Sequence, residues 1–155
     1  IPISQLGEDK QEEMSKNLER YSLYEAYEVR QVLETKAMDL IVRNATDSDL
    51  DEIETAYQTM LLRFAETNTT TGEFELHQLY AKKTGSVFME QTLNIVLSTI
   101  LEMMHTTSHN VMDMHQVEEE KADHRRIIDA LHKRDSSAAQ QAMYDHIQHT
   151  LDILQ

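Results

Sequence analysis

The chain has no cysteine, one proline and three glycines among its 155 residues. Without cysteine there is no disulfide, no thiolate nucleophile and no sulfur-rich zinc site, so any bound metal must rest on nitrogen and oxygen donors. The scarcity of proline and glycine removes most turn and strand punctuation, and nine methionines with abundant Glu, Leu, Ala and Gln favour helix throughout. Positive charge is short as well. Fourteen Lys and Arg against 28 Asp and Glu leave a formal charge of −14, which argues against direct nucleic-acid contact, because phosphates are held by clustered Lys and Arg. No apolar run reaches the ~18 residues needed to span a bilayer, and no charged-then-apolar leader opens the sequence. The expectation is a cytoplasmic, all-α protein with one core, an antiparallel helical bundle of about six to seven helices.

Residues 1–20 are mostly polar with sparse apolar anchors and read as a linker or N-terminal extension, the folded domain occupying 21–155. Ser22 and Glu25 have capping-box spacing, and Leu23, Ala26, Arg30, Leu33, Ala37 and Leu40 follow at helical intervals to about Asn44. Arg30 therefore lies on an apolar stripe. Thr46 with Asp49 is a second start signal, ahead of Leu50, Ile53, Tyr57, Met60, Leu61 and Phe64 at period 3.6. The threonine-rich run up to Gly72 is a loop, and Glu73 to about Thr84 is a short helix stopped by Gly85. From Val87 to about His109 apolar residues occupy nearly every side, which fits a central helix or one at a subunit interface. Residues 110–116 fit neither pattern. Helices from about Val117 to Lys133 and Ser137 to Leu154 put His124 and His146 on inward stripes.

These positions define a candidate site. Glu73 and His77 stand at i and i+4 on one helical face, where a single ion can bridge them. His124 and His146 flank the turn signal Arg134-Asp135-Ser136-Ser137, each eleven residues from Asp135, so an antiparallel hairpin folded there returns them to one height. A carboxylate with three imidazoles suits a divalent ion such as Zn, Ni, Mn or Fe. A lone histidine on an apolar stripe is more often a satisfied core residue, so a metal-free cluster is the competing reading. Arg30 also has two readings: a structural arginine paired with Glu34, or an anion clamp whose guanidinium fork faces a cavity. Only one Glu-x-x-His pair occurs, Glu102 with His105, where a di-iron bundle needs two. No zincin, phosphate-loop or nucleophile-elbow motif occurs, so no covalent mechanism is expected, and a metal-dependent hydrolase or oxidase remains the enzymatic alternative.

The stretches YEAYEVRQVLETKAMDL and RNATDSDLDEI, with the closing ADHRRIIDALHKRDSSAAQQAMYDHIQHTLDIL, resemble the effector-binding (FCD) domain of GntR-type bacterial transcription regulators of the FadR-like subgroup. The resemblance covers about residues 21–154. Metal-binding members place an Asp four residues before a His and two later histidines on the last helices. Carried onto this sequence, that pattern falls on Glu73, His77, His124 and His146, with Glu73 in place of the usual Asp and Ser86 where Asn commonly follows a Gly. The resemblance implies a non-enzymatic sensor that dimerises with a second copy and binds a small carboxylate, an organic or sugar acid, which Arg30, on the clamp reading, would grip. It also implies that DNA is contacted only through a winged helix-turn-helix domain, which does not precede Tyr21 in this chain.

Overall fold

The molecule is organised around its first helix. The computed structural model describes residues 7–106 and 114–155, apart from the side chains of 14–20, 105, 106, 114 and 115. Six helices run through the described residues: α1 (Glu8–Asn44), α2 (Asp47–Thr67), α3 (Glu73–Lys83), α4 (Val87–Thr106), α5 (Met114–His132) and α6 (Ser136–Leu154). No strand occurs among them, so the all-α expectation is met. Residues 107–113, which include the expected end of the fourth helix near His109 and most of the stretch that fits neither pattern, lie outside the described residues.

α1 is one helix of 37 residues, about 55 Å long at 1.5 Å per residue. It does not begin at Ser22, which corrects the expected start. Gly7 precedes it, and Glu8 and Asp9 place negative charge in its first turn, where the helix dipole favours it. Ser22 and Glu25 are simply exposed positions within it. Its buried residues run Leu23, Tyr27, Arg30, Gln31, Glu34, Ala37, Met38 and Ile41, so two charged residues and one amide interrupt an apolar seam. The helix packs along α6 and also touches α3, α4 and α5.

Local chemistry sets the turns that aim the site. The capping box expected at Thr46 is present, with Thr46 Oγ1 accepting from the Asp49 amide at 3.0 Å and Asp49 accepting from the Thr46 amide at 2.9 Å. Gly72 opens α3 at φ 97°, a left-handed conformation that side-chain-bearing residues resist. Gly85 sits where an added Cβ would come within 3.1 Å of Asn44 Cβ, so the α3–α4 turn presses onto the end of α1. Ser86 caps α4 there, its Oγ accepting from the Met89 amide at 3.2 Å, so a serine suffices at this position.

The α5–α6 hairpin closes through a pair of backbone bonds. Arg134 N donates to Leu131 O at 2.9 Å and Asp135 N to Ala130 O at 3.1 Å, with Arg134 at φ 53°. That is the Schellman pattern with arginine at the left-handed position, held by Arg134 bonds to Val42 O and Asp47. Asp135 then caps α6 by accepting from the Ala138 amide at 3.1 Å.

α4 is not central. Leu93, Leu97 and Ile100 face the core, but Val87 is 70% exposed, Phe88 80% and Ile95 68%. Its opposite face is therefore uncovered in the single chain.

Candidate metal centre

Three helices converge behind the middle of α1. α3 supplies Glu73 and His77, α5 supplies His124 and α6 supplies His146, and all four side chains are buried. One ligand atom from each lies within 4.8 Å of the others. The rings of His124 and His146 have centroids 4.6 Å apart, so the hairpin brings them level. Sequence spacing anticipated all four positions in this constellation.

The histidine orientations are fixed from behind. His77 Nδ1 lies 2.5 Å from Glu34 Oε1, and His146 Nδ1 lies 2.9 Å from Asp123 Oδ2. His124 Nδ1 lies 2.8 Å from the Tyr80 hydroxyl. Every Nδ1 is thus engaged outward and every Nε2 faces inward. Such outer partners set the tautomer and hold the ring, the arrangement typical of imidazoles that ligate through Nε2.

The inward atoms do not satisfy one another. A carboxylate only accepts, so the Nδ1 atoms of His77 and His146 must carry hydrogen, and in the neutral rings each Nε2 is a bare lone pair. Those two Nε2 atoms lie 3.2 Å apart, and both face Glu73 Oε1, at 2.6 and 3.2 Å. Three lone-pair atoms converge on one volume, which only extra protons or a cation can reconcile. His124 Nε2 is buried without any hydrogen-bond partner, and so are Glu120 Oε2 and Arg30 Nη2 beside it.

The charges agree. Glu34, Glu73, Asp123 and Glu120 surround the cluster, against Arg30 as a fixed cation. Burial alone would raise the Glu73 carboxyl, but the His77 charge and the surrounding imidazoles hold it well below its ordinary value. Burial pulls the His77 imidazole down, yet Glu34 and Glu73 hold it above its usual range. His146 stands well above its ordinary value, since the Glu120 charge and bonds to Asp123 and Glu73 outweigh burial. Both directions mark a pocket that favours added positive charge at His77 and His146. A divalent ion supplies the same positive charge while leaving the imidazoles neutral, so the donor set fits one.

Arg30 is 1% exposed and takes the structural role expected of it, paired with Glu34. Its Nε donates to Glu34 Oε2 at 2.7 Å, its guanidinium lies over the Tyr27 and Phe74 rings at 5.2 and 5.4 Å, and its Nη2 stands 3.7 Å from Glu73 Oε1 with no hydrogen bond. Arg30, Glu73, Glu120, His146 and Tyr27 border a cavity with about 20 Å³ of room for the centres of water-sized molecules. That holds one or two waters. An organic acid needs more space than this cavity provides.

Glu34, Asp123, Tyr80 and Glu120 were not among the residues that spacing singled out for the site. Glu34 is legible as the i+4 partner of Arg30, but its contact with His77 spans 43 positions. Tyr80 shares the His77 face of α3, three residues on. Asp123 directly precedes His124 yet serves His146, with His149 at 2.8 Å on the same oxygen.

An all-α bundle with a buried, oriented histidine set and a small arginine-lined cavity has the build of an effector-binding domain. The FCD domain family model matches residues 25–149, and the chain belongs to that family, whose domains serve GntR-type regulators as ligand-sensing units. Among solved structures it is similar to Streptococcus agalactiae GntR, at 21% identity and a TM-score of 0.70, over 84% of this chain and 58% of that one. It is likewise similar to E. coli McbR/YncC, at 16% identity and a TM-score of 0.69, over 84% of this chain and 66% of that one. At these identities the likeness is one of fold, and this chain spans less than two thirds of each. Comparison with curated proteins finds no match.

Proposed function

We propose that this domain senses a small carboxylate through a divalent ion held by Glu73, His77, His124 and His146, and thereby modulates DNA binding by a separate domain. The observation that carries the reading is the convergence of bare acceptors: two Nε2 lone pairs 3.2 Å apart, both facing a carboxylate oxygen. The three histidines and Glu73 would hold the ion, and when bound it would supply a Lewis-acidic site for an anionic ligand. Four protein donors on a six-coordinate ion leave two positions. Arg30, which borders the cavity and whose Nη2 makes no hydrogen bond, binds the far side of an organic or sugar acid.

The small cavity gives the signal its origin. An organic acid enters only if α1, α5 and α6 part around it, because their residues form most of its walls. Binding energy specific to the open packing then shifts the population toward it. The uncovered face of α4, with Phe88 and Ile95, supports a homodimer that passes this change to paired DNA-binding domains. Among the described residues no helix is long and apolar enough to cross a membrane, and the protein is proposed to work in the cytoplasm.

A metal-free sensor is the second reading, favoured by the raised His77 and His146: protons in place of the ion also reconcile the cluster. Elemental analysis of protein purified without a polyhistidine tag separates the two. The ion reading expects about one divalent ion per chain, lost in the His124→Ala, His146→Ala double variant. Equal metal content in both proteins overturns it. A thermal-shift panel of organic and sugar acids tests the ligand class, with at least one raising the melting temperature and Arg30→Ala abolishing that response. If Arg30→Ala responds as the parent does, Arg30 is not the clamp.

A further inference from the structure

Glu120 has no place in the four-residue set, yet one of its carboxylate oxygens is buried beside it. It lies one turn before His124 on α5, at i and i+4, so both side chains project from the same face. Its side chain is 17% exposed, but Oε2 itself is buried and makes no hydrogen bond. That oxygen stands 3.4 Å from His124 Nε2 and 3.6 Å from His146 Nε2. His124 Nε2 is unpartnered too. Two buried polar atoms left bare side by side, each costing roughly 1–3 kcal/mol by its desolvation, call for a shared partner.

The spacing identifies it. Two donors each about 2.1 Å from one ion, at the 90–110° angles of octahedral or tetrahedral coordination, stand roughly 3.0–3.5 Å apart. The Glu120–His124 separation falls in that range, as does the 3.2 Å between His77 Nε2 and His146 Nε2. Glu120 also borders the cavity together with Arg30, Glu73 and His146, on the side from which a ligand would reach the ion.

We propose that Glu120 is a fifth protein donor to the ion, an internal carboxylate occupying the coordination position that an external carboxylate takes by displacing it. This rests on the ion-holding reading of the cluster. Glu120 and the external acid are alternatives at one place, so the ligand enters by exchange. The displaced Glu120 is left beside the incoming anion, where like charges repel, which favours movement of the α5 turn that carries it. An exchange of this kind selects for acids that bring a second anchoring group to Arg30, because a bare carboxylate gains little by replacing one already tethered.

The test uses the untagged chain, stripped with a chelator and titrated with Mn2+ and then with acetate as the probe carboxylate. The variants are Glu120→Gln and Glu120→Ser, with Glu118→Gln as control at an exposed position on the same helix. Paramagnetic resonance of free Mn2+ gives the affinity, and water-proton relaxation of the loaded protein reports water bound to the ion. Loss of Glu120 is expected to weaken Mn2+ binding about tenfold or more, to increase water relaxation as the vacated position fills with solvent, and to tighten acetate binding several-fold. Glu118→Gln behaves as the parent. If the parent binds Mn2+ and both Glu120 variants match it in affinity and relaxation, the fifth donor is refuted while the four-residue site stands. If the parent binds no Mn2+, Zn2+ or Ni2+, the ion-holding reading itself fails and takes this inference with it.

Discussion

Glu34→Gln is the most informative single change, because one carboxylate carries two neighbours. Glu34 is fully buried, takes the Arg30 Nε hydrogen at 2.7 Å on one oxygen and faces His77 Nδ1 at 2.5 Å with the other. The amide preserves shape and one acceptor but removes the charge, leaving Arg30 in the core with Glu73 as its nearest anion at 3.7 Å. Breaking a buried ion pair from one side costs roughly 3–5 kcal/mol, and the retained acceptor places this case near 3. Against a total stability of about 5–15 kcal/mol that is a large share. It corresponds to a fall in melting temperature of about 6–12 °C for a domain of this size. The assay is urea unfolding in chelator, so that no ion contributes, with the exposed Glu28→Gln as control and an expected change under about 0.5 kcal/mol. Metal affinity then gives a second reading: with His77 no longer held by a carboxylate, a loss of about 10–100-fold is expected. If Glu34→Gln unfolds within about 0.5 kcal/mol of the parent, Glu34 does not compensate Arg30, and the charge balance drawn for the site is wrong.

Three further outcomes follow from the same contacts. Glu54 accepts from Nη2 and Nη1 of Arg125, at 2.6 and 2.9 Å, and bonds to Arg125 lower its carboxyl from 4.5 to about 2. A carboxyl lower in the folded than in the unfolded state stabilises above pH 4.5 and loses that effect as pH falls toward 2, so Glu54→Gln should cost about 1 kcal/mol at pH 7 and progressively less in urea melts taken down to pH 3. A gap that stays constant across that range would show the pair contributes nothing. Asp135→Ala removes the α6 cap and should cost about 1 kcal/mol by the same melts, with Asp135→Asn close to the parent; equal stability of all three would deny the cap. Phe88→Glu with Ile95→Glu should yield a monomer by light scattering if the open face of α4 joins two copies, and an unchanged mass would remove that face from the interface.

What the sequence discloses here is what lies within reach along the chain. Thr46 and Asp49, the periodic α2, and the i,i+4 pair Glu73–His77 are local features, and each is legible from spacing alone. His124 and His146 are legible because a short turn makes their separation a matter of counting. Ser22 with Glu25 misleads for a local reason: a capping box marks a start only where the preceding residues resist helix, and residues 8–20 are rich in Glu, Lys and Arg with no Gly or Pro. The outer partners escape because their contacts cross between helices. Nothing near Glu34 or Asp123 in sequence announces His77 or His146, and an acidic residue on an acidic chain draws no notice until its burial is seen. The exposed side of α4 shows a similar limit, since apolar residues all around a helix fit either a core or an interface.

The central claim is that one ion sits where three imidazoles and Glu73 meet. An anomalous difference map from crystals of the zinc-reloaded chain, recorded at the zinc absorption edge, tests it most directly. The account predicts one strong peak about 2.0–2.2 Å from the Nε2 atoms of His77, His124 and His146 and from a Glu73 oxygen. A map with no peak among those four side chains, or with zinc only elsewhere on the molecule, contradicts it.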